Sequence, residues 1–128
     1  MTTKESRKKI LIVDDEEDMR EILRDKFITS GFDVSVAKDG EEGLEKALKE
    51  VPAVILLDIA MPKMDGLEML KRFRQAEGAR IIPVILLTNI SDMHKLKEAQ
   101  ELGIQDYMLK AEWKMAQIVE RVKEIISA

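Results

Sequence analysis

The feature that most constrains the fold is an alternation of two patterns along the chain. Short runs rich in Ile, Val and Leu occur at Ile10 to Val13, Val34 to Ala37, Val54 to Leu57 and Val84 to Leu87, with a weaker one from Tyr107 to Leu109. Three of these runs are continuously apolar, which suits strands covered on both faces. Between them, apolar residues recur three and four apart: Met19, Ile22, Leu23 and Phe27; Leu44, Ala47 and Leu48; Leu67, Leu70 and Phe73; Leu96, Ala99 and Leu102. The last segment carries Ile118, Val119, Val122, Ile125 and Ile126. That spacing predicts amphipathic helices. Punctuation agrees. Gly31, Gly78 and Gly103 follow predicted helices, Asp65 and Asp92 precede them as caps, and Pro83 opens a strand, where a missing N–H does no harm. Strand followed by helix, five times over, predicts an α/β, doubly wound parallel sheet with helices on both faces. In such sheets ligands bind beyond the carboxyl ends of the strands, so the residues after each apolar run decide the function.

Composition narrows the classes. The 128 residues match one domain, taken as 1–128 with an ordered core at about 8–127. Acidic residues outnumber basic ones, 25 to 21, and no basic stripe exists, so no direct nucleic-acid partner is expected. There is no cysteine, which removes disulfides, thiol catalysis and thiolate metal sites. His94 is the only histidine and cannot build a histidine-rich metal site; an exposed helix position is expected for it. No apolar run approaches the ~18 residues of a membrane span, and the start MTTKESRKK leads into no signal-type apolar stretch. A cytoplasmic location with no membrane partner is expected.

The strand ends carry chemistry. Asp14, Asp15 and Glu16 follow the first run, Asp58 the third, Thr88 the fourth and Lys110 the fifth. With the first and third strands as neighbours, Asp14, Asp15 and Asp58 converge. Each pair of such carboxylates ~4 Å apart costs roughly 4 kcal/mol at an effective dielectric of 20. A hard divalent cation relieves that cost. Oxygen ligands with room for water suit Mg²⁺, with Mn²⁺ a substitute. Nucleotide-binding readings fail, because no glycine pair forms Gly-x-Gly and no Gly-Lys-Ser/Thr is present. An aspartate beside a metal, a hydroxyl and a lysine points to phosphoryl transfer onto a carboxylate. Lys110 and the metal neutralise charge on the phosphoryl oxygens, and Thr88 offers one hydrogen bond.

The pieces ILIVDDEEDMREIL, LLDIAMPKMDGLEML, VILLT and DYMLK, in that order and spacing, resemble the receiver domain of two-component response regulators. The resemblance spans essentially the whole chain. It implies a flavodoxin-like (βα)5 fold with strand order 2-1-3-4-5. It implies that Asp58 is the phosphorylated residue, that Asp15 binds Mg²⁺ directly and Asp14 through water, and that the Ala60 backbone carbonyl is a further ligand. Thr88 and Lys110 would contact the phosphoryl group, and Tyr107 matches the aromatic that swings inward with Thr88. The phosphodonor would be a histidine kinase or histidine phosphotransfer protein, docking near the first helix at Glu16, Asp18, Met19 and Ile22; Met19 and Ile22 are equally readable as core. The downstream target is unspecified. A monomer is expected, with dimerisation on phosphorylation left open. The chain would be a signalling switch, acting as an enzyme only on its own phosphorylation and dephosphorylation, and a single-domain regulator since it begins with Met1 and carries no tag.

Some positions depart from the family pattern. Ala111 follows Lys110 where the family has proline after a cis peptide, so a trans bond is expected. Asn89 follows Thr88 where a small residue is usual. Gly43 lies within the second predicted helix at a cost of ~1 kcal/mol against Ala. By the same resemblance, the rim positions that would tune phosphoryl lifetime are Ala60 and Ile90, neither able to hold a water by its side chain, so slow self-dephosphorylation is expected. Trp113 reads equally as a partner contact or as a plug under the last helix. Two other classes compete. An Mg²⁺-dependent aspartyl-phosphate phosphatase similar to haloacid-dehalogenase hydrolases needs an acid where Ala60 stands, and a flavodoxin-like electron carrier needs a Ser/Thr/Gly phosphate loop where this chain is acidic.

Overall fold

The computed structural model describes residues 7–76, 81–89 and 93–127; Gly78, Ile90 and Asp92 lie outside them. Strands and helices alternate as β1 (Lys9–Val13), α1 (Glu17–Thr29), β2 (Asp33–Ala37), α2 (Gly40–Glu50), β3 (Val54–Leu57), α3 (Gly66–Gln75), β4 (Val84–Thr88), α4 (Met93–Leu102), β5 (Asp106–Leu109) and α5 (Met115–Ser127). All the pairings are parallel, and the sheet order is β2-β1-β3-β4-β5. The reversal of strand order lies between β1 and β3, where a crevice opens at the carboxyl ends.

The period of two in each strand sorts its side chains between two cores. Leu11, Val13, Ile55, Leu57, Val84 and Leu86 point to one face, beneath Ala47 of α2, Leu70 and Phe73 of α3 and Ala99 of α4. Ile10, Ile12, Val54, Leu56, Ile85 and Leu87 point to the other, beneath Leu23 and Phe27 of α1 and Ile118 and Val122 of α5. This two-sided cover is why the central strands are apolar throughout. Phe27 and Phe73 are fully buried, one on each face, and truncating either to Ala would cost about 3–5 kcal/mol.

Two predicted helix faces are turned from where the leucines and isoleucines suggested. In α1 the buried direction is set by Met19, Leu23 and Phe27; Ile22 lies about 100° from their mean at 3.6 residues per turn, and it is 53% exposed. In α2 the buried residues are Gly40, Gly43 and Ala47, while Leu48 is exposed. The reason is close approach. A Cβ on Gly43 would lie 2.8 Å from Val13 Cγ1 and 2.9 Å from the Met69 sulfur, so the residue that weakens the isolated helix is the one that lets it seat.

The ends of the helices follow local chemistry. Asp65 caps α3, its carboxylate accepting from the Glu68 N–H at 2.9 Å, as its position predicted. Asp39 caps α2 in the same way through the Glu42 N–H. Gly31 and Gly103 take positive φ after α1 and α4. Pro83 stands just before β4, and its carbonyl accepts from the Ile55 N–H. Trp113 packs, partly buried, against the α1/α5 core, which is the plug reading of its two. His94 is exposed on α4.

Candidate functional site

The sheet register builds the site. Val13 pairs with Leu57, so the next residues, Asp14 and Asp58, leave neighbouring strands side by side. The Asp58 N–H donates to the Val13 carbonyl at 3.0 Å, and the Asp14 N–H donates to the Ala37 carbonyl at 3.1 Å. Across the crevice, the Lys110 N–H donates to the Thr88 carbonyl at 3.0 Å, which extends the β4–β5 ladder by one residue. The backbone of the sheet therefore aims three functional side chains before any of them touches another.

Those side chains meet at one nitrogen. Lys110 Nζ lies 2.7 Å from Asp14 Oδ2, 2.8 Å from Glu16 Oε1 and 3.2 Å from Asp58 Oδ2. The Lys110, Asp14 and Asp58 side chains are almost fully enclosed, whereas that of Glu16 is 55% exposed. Burial disfavours the Lys110 ammonium, but the hydrogen bonds to Asp14 and Glu16 and the charges of Asp58 and Asp14 outweigh it, so its pKa stands above the ordinary lysine value. Burial raises the Asp14 pKa; the Lys110 ammonium and the Glu16 N–H only partly offset it, and the Asp58 charge adds to it. Asp14 also fixes the entry to α1, accepting from the Glu16 N–H at 2.9 Å with its other oxygen. It does not cap the helix directly: the N-cap is Glu16, whose side chain makes no capping bond.

Oxygens of Asp14, Glu16 and Asp58 lie within 4.8 Å of one another. Three carboxylates face one ammonium, so negative charge remains uncompensated. All the donors are hard oxygens, and the cleft above them, about 360 Å³, is open to water and lined also by Asp15, Ala60, Thr88 and Asn89. That donor set fits a divalent cation of the Mg²⁺ type. Gly66 keeps the cleft floor in place, since a Cβ there would lie 2.2 Å from the Asp58 carbonyl oxygen.

Set against the sequence, the structure brings together Asp14, Asp58, Thr88 and Lys110, with Thr88 buried beneath the cleft. Asp15 lines the cleft but is exposed and outside the three-acid cluster. The third acid there is Glu16, a residue the sequence suggested only for partner docking. Its one sequence signal was its place directly after the acidic pair. Of the other docking candidates, Asp18 and Ile22 are exposed and Met19 packs against the core. Tyr107 is 40% exposed on β5. The Lys110–Ala111 peptide is trans, as expected.

The model of the response regulator receiver domain matches residues 10–123. The chain belongs to the response regulator receiver domain family. It is 41% identical over 119 residues to the alkaline phosphatase synthesis transcriptional regulatory protein PhoP of Bacillus subtilis, covering 93% of this chain and 48% of that protein. It is 39% identical over 102 residues to the regulatory protein AtoC of Escherichia coli, covering 80% of this chain and 22% of that one. This receiver domain thus spans about half or less of the length of those curated relatives. Among solved structures, the CheY-like receiver domain protein of Methanospirillum hungatei superposes with a TM-score of 0.88 at 26% identity, covering 95% of each chain. The chemotaxis response regulator CheY4 of Vibrio cholerae does so with a TM-score of 0.85 at 28% identity, covering 93% of this chain and 98% of that one. Receiver domains are signalling switches of two-component systems, not enzymes in the ordinary sense, and the three-acid cluster fits their use of a metal ion. No helix among the described residues is long and apolar enough to cross a membrane.

Proposed function

We propose that the chain, over residues 1–128, is an Mg²⁺-dependent phospho-accepting switch, and that Asp58 receives the phosphoryl group from a histidine kinase or a histidine phosphotransfer protein. The observation that carries this reading is the Lys110 ammonium held between the buried carboxylates of Asp14 and Asp58. An Asp58 oxygen attacks the phosphorus, the P–N bond to the donor imidazole breaks, and an acyl phosphate is left on Asp58. Asp15, Asp58 and the Ala60 carbonyl would hold the metal, with Asp14 acting through water; Mn²⁺ can substitute. The bound cation supplies positive charge against the phosphoryl oxygens. Lys110 takes one of those oxygens, and the Thr88 hydroxyl donates to another. Thr88 moves toward the new group, and Tyr107, exposed on the next strand, follows it inward and changes the surface offered to a downstream protein. The donor docks beside the cleft at Asp18 and Ile22, with Glu16 and Met19 at the border of that surface. The working location is the cytoplasm. A hydrolytic phosphatase reading lacks support, because Ala60 has no proton to donate.

The test is labelling with acetyl phosphate. The wild type should incorporate one phosphoryl group per chain and only with Mg²⁺ or Mn²⁺. Asp58→Asn keeps the shape and removes the nucleophile, so labelling should vanish, while Asp15→Ala should raise the Mg²⁺ concentration needed. Wild-type labelling of the Asp58→Asn protein would sink the assignment.

A further inference from the structure

The role of Glu16 is not explained by the phosphoryl-transfer reading on which this inference rests. An ammonium has three N–H donors, and Lys110 directs them at three carboxylates. To take a phosphoryl oxygen, one of those bonds must open. Asp58 is the acceptor itself and sits at a strand end. Asp14 is enclosed and tied at its other oxygen to the Glu16 N–H. Glu16 differs from both. Its side chain is 55% exposed, it has a longer stem, and as N-cap of α1 it makes no capping bond that would hold it elsewhere. Releasing it into water costs least. Its carboxylate also stands at the rim of the cleft that an anionic phosphoryl group must enter.

We propose that Glu16 is a displaceable counter-ion of Lys110, a positioning residue that occupies the third ammonium donor until a phosphoryl group evicts it, and so weakens capture of that group. A half-exposed ion pair of this kind is worth little, so the expected effect is about two- to fivefold in the affinity for a phosphoryl mimic. Because the pair is reachable by solvent, salt should compete with it.

The test is binding of beryllofluoride to the full chain at saturating Mg²⁺, followed by ¹⁹F NMR, together with Mg²⁺ binding alone by calorimetry. Glu16→Gln should bind beryllofluoride about two- to fivefold tighter than wild type, and the gap should narrow between about 0.05 and 0.5 M salt. Its Mg²⁺ affinity should fall, because Glu16 belongs to the acidic cluster, and saturating Mg²⁺, set from the calorimetry of each variant, removes that loss from the beryllofluoride comparison. Glu17→Gln, an equal change of charge one residue on, should behave as wild type. Equal or weaker beryllofluoride binding in Glu16→Gln overturns the proposal. So does an equal gain in Glu17→Gln, which would reduce the effect to net charge. A wild type that takes up no beryllofluoride at all would instead sink the phospho-accepting reading, and this proposal with it.

Discussion

Replacing Lys110 by methionine keeps an apolar stem of similar length and removes the ammonium. In the native site that ammonium lies 2.7 Å from Asp14 and 3.2 Å from Asp58, all three side chains being almost fully enclosed. Without it, carboxylate oxygens that approach within 4.8 Å face one another directly. At that separation and an effective dielectric of 20, a pair of like charges costs about 3.5 kcal/mol. Glu16 can turn into water, so the Asp14–Asp58 pair carries the penalty. Removing one partner from a buried ion pair costs about 3–5 kcal/mol, which agrees. The chain has one escape, which is to protonate an acid. Burial already holds the Asp14 pKa above its ordinary 3.8, and losing Lys110 raises it further. A carboxyl whose folded pKa exceeds its unfolded value binds the extra proton in the folded state. Stability therefore falls as pH rises from the unfolded toward the folded pKa. The Lys110→Met variant should lose about 3 kcal/mol at about pH 8 and regain part of it in mild acid, and Mg²⁺ should stabilise it more than it stabilises the wild type. Urea denaturation at both pH values, with and without Mg²⁺, measures all of this. A variant as stable as wild type in metal-free buffer at about pH 8 would refute the coupling of the acids through Lys110.

Three further outcomes follow from particular residues. Gly66→Ala should destabilise the fold by about 1–3 kcal/mol in thermal melts, because its Cβ would meet the Asp58 backbone at 2.2 Å, and it should slow acetyl phosphate labelling by displacing Asp58 itself. Asp18→Lys, on the exposed first turn of α1, should slow transfer from the cognate kinase while leaving acetyl phosphate labelling unchanged; equal slowing by both donors would remove the docking role. Ala60→Asn together with Ile90→Glu should shorten the lifetime of phospho-Asp58, since the family resemblance puts both positions beside the phosphoryl group, where polar side chains can hold the attacking water in line; an unchanged decay rate would show that these two positions do not shield it.

Most of the fold was readable because one signal governs it. A strand buried on both faces must be apolar at every position, and Ile10 to Val13, Val54 to Leu57 and Val84 to Leu87 show this without any knowledge of their neighbours. Helix faces were less readable, because hydrophobicity marks what can be buried and not what must approach closely. In α2 Gly43 sits so near the sheet that a Cβ there would strike Val13 and Met69, so the small residues face inward and Leu48 is left outside. The candidate site divides in the same way. Asp14, Asp58, Thr88 and Lys110 were legible because each stands at the end of a strand, where register alone places it. Glu16 was not, because its partner is 94 residues away and the contact depends on where α1 begins. The Asp14 side chain holds the Glu16 N–H and so sets the first turn, and from there the Glu16 carboxylate reaches across to Lys110. A backbone hydrogen bond made by one acid thus decides which other acid the lysine meets. A pattern of residue types does not encode that kind of second-order placement.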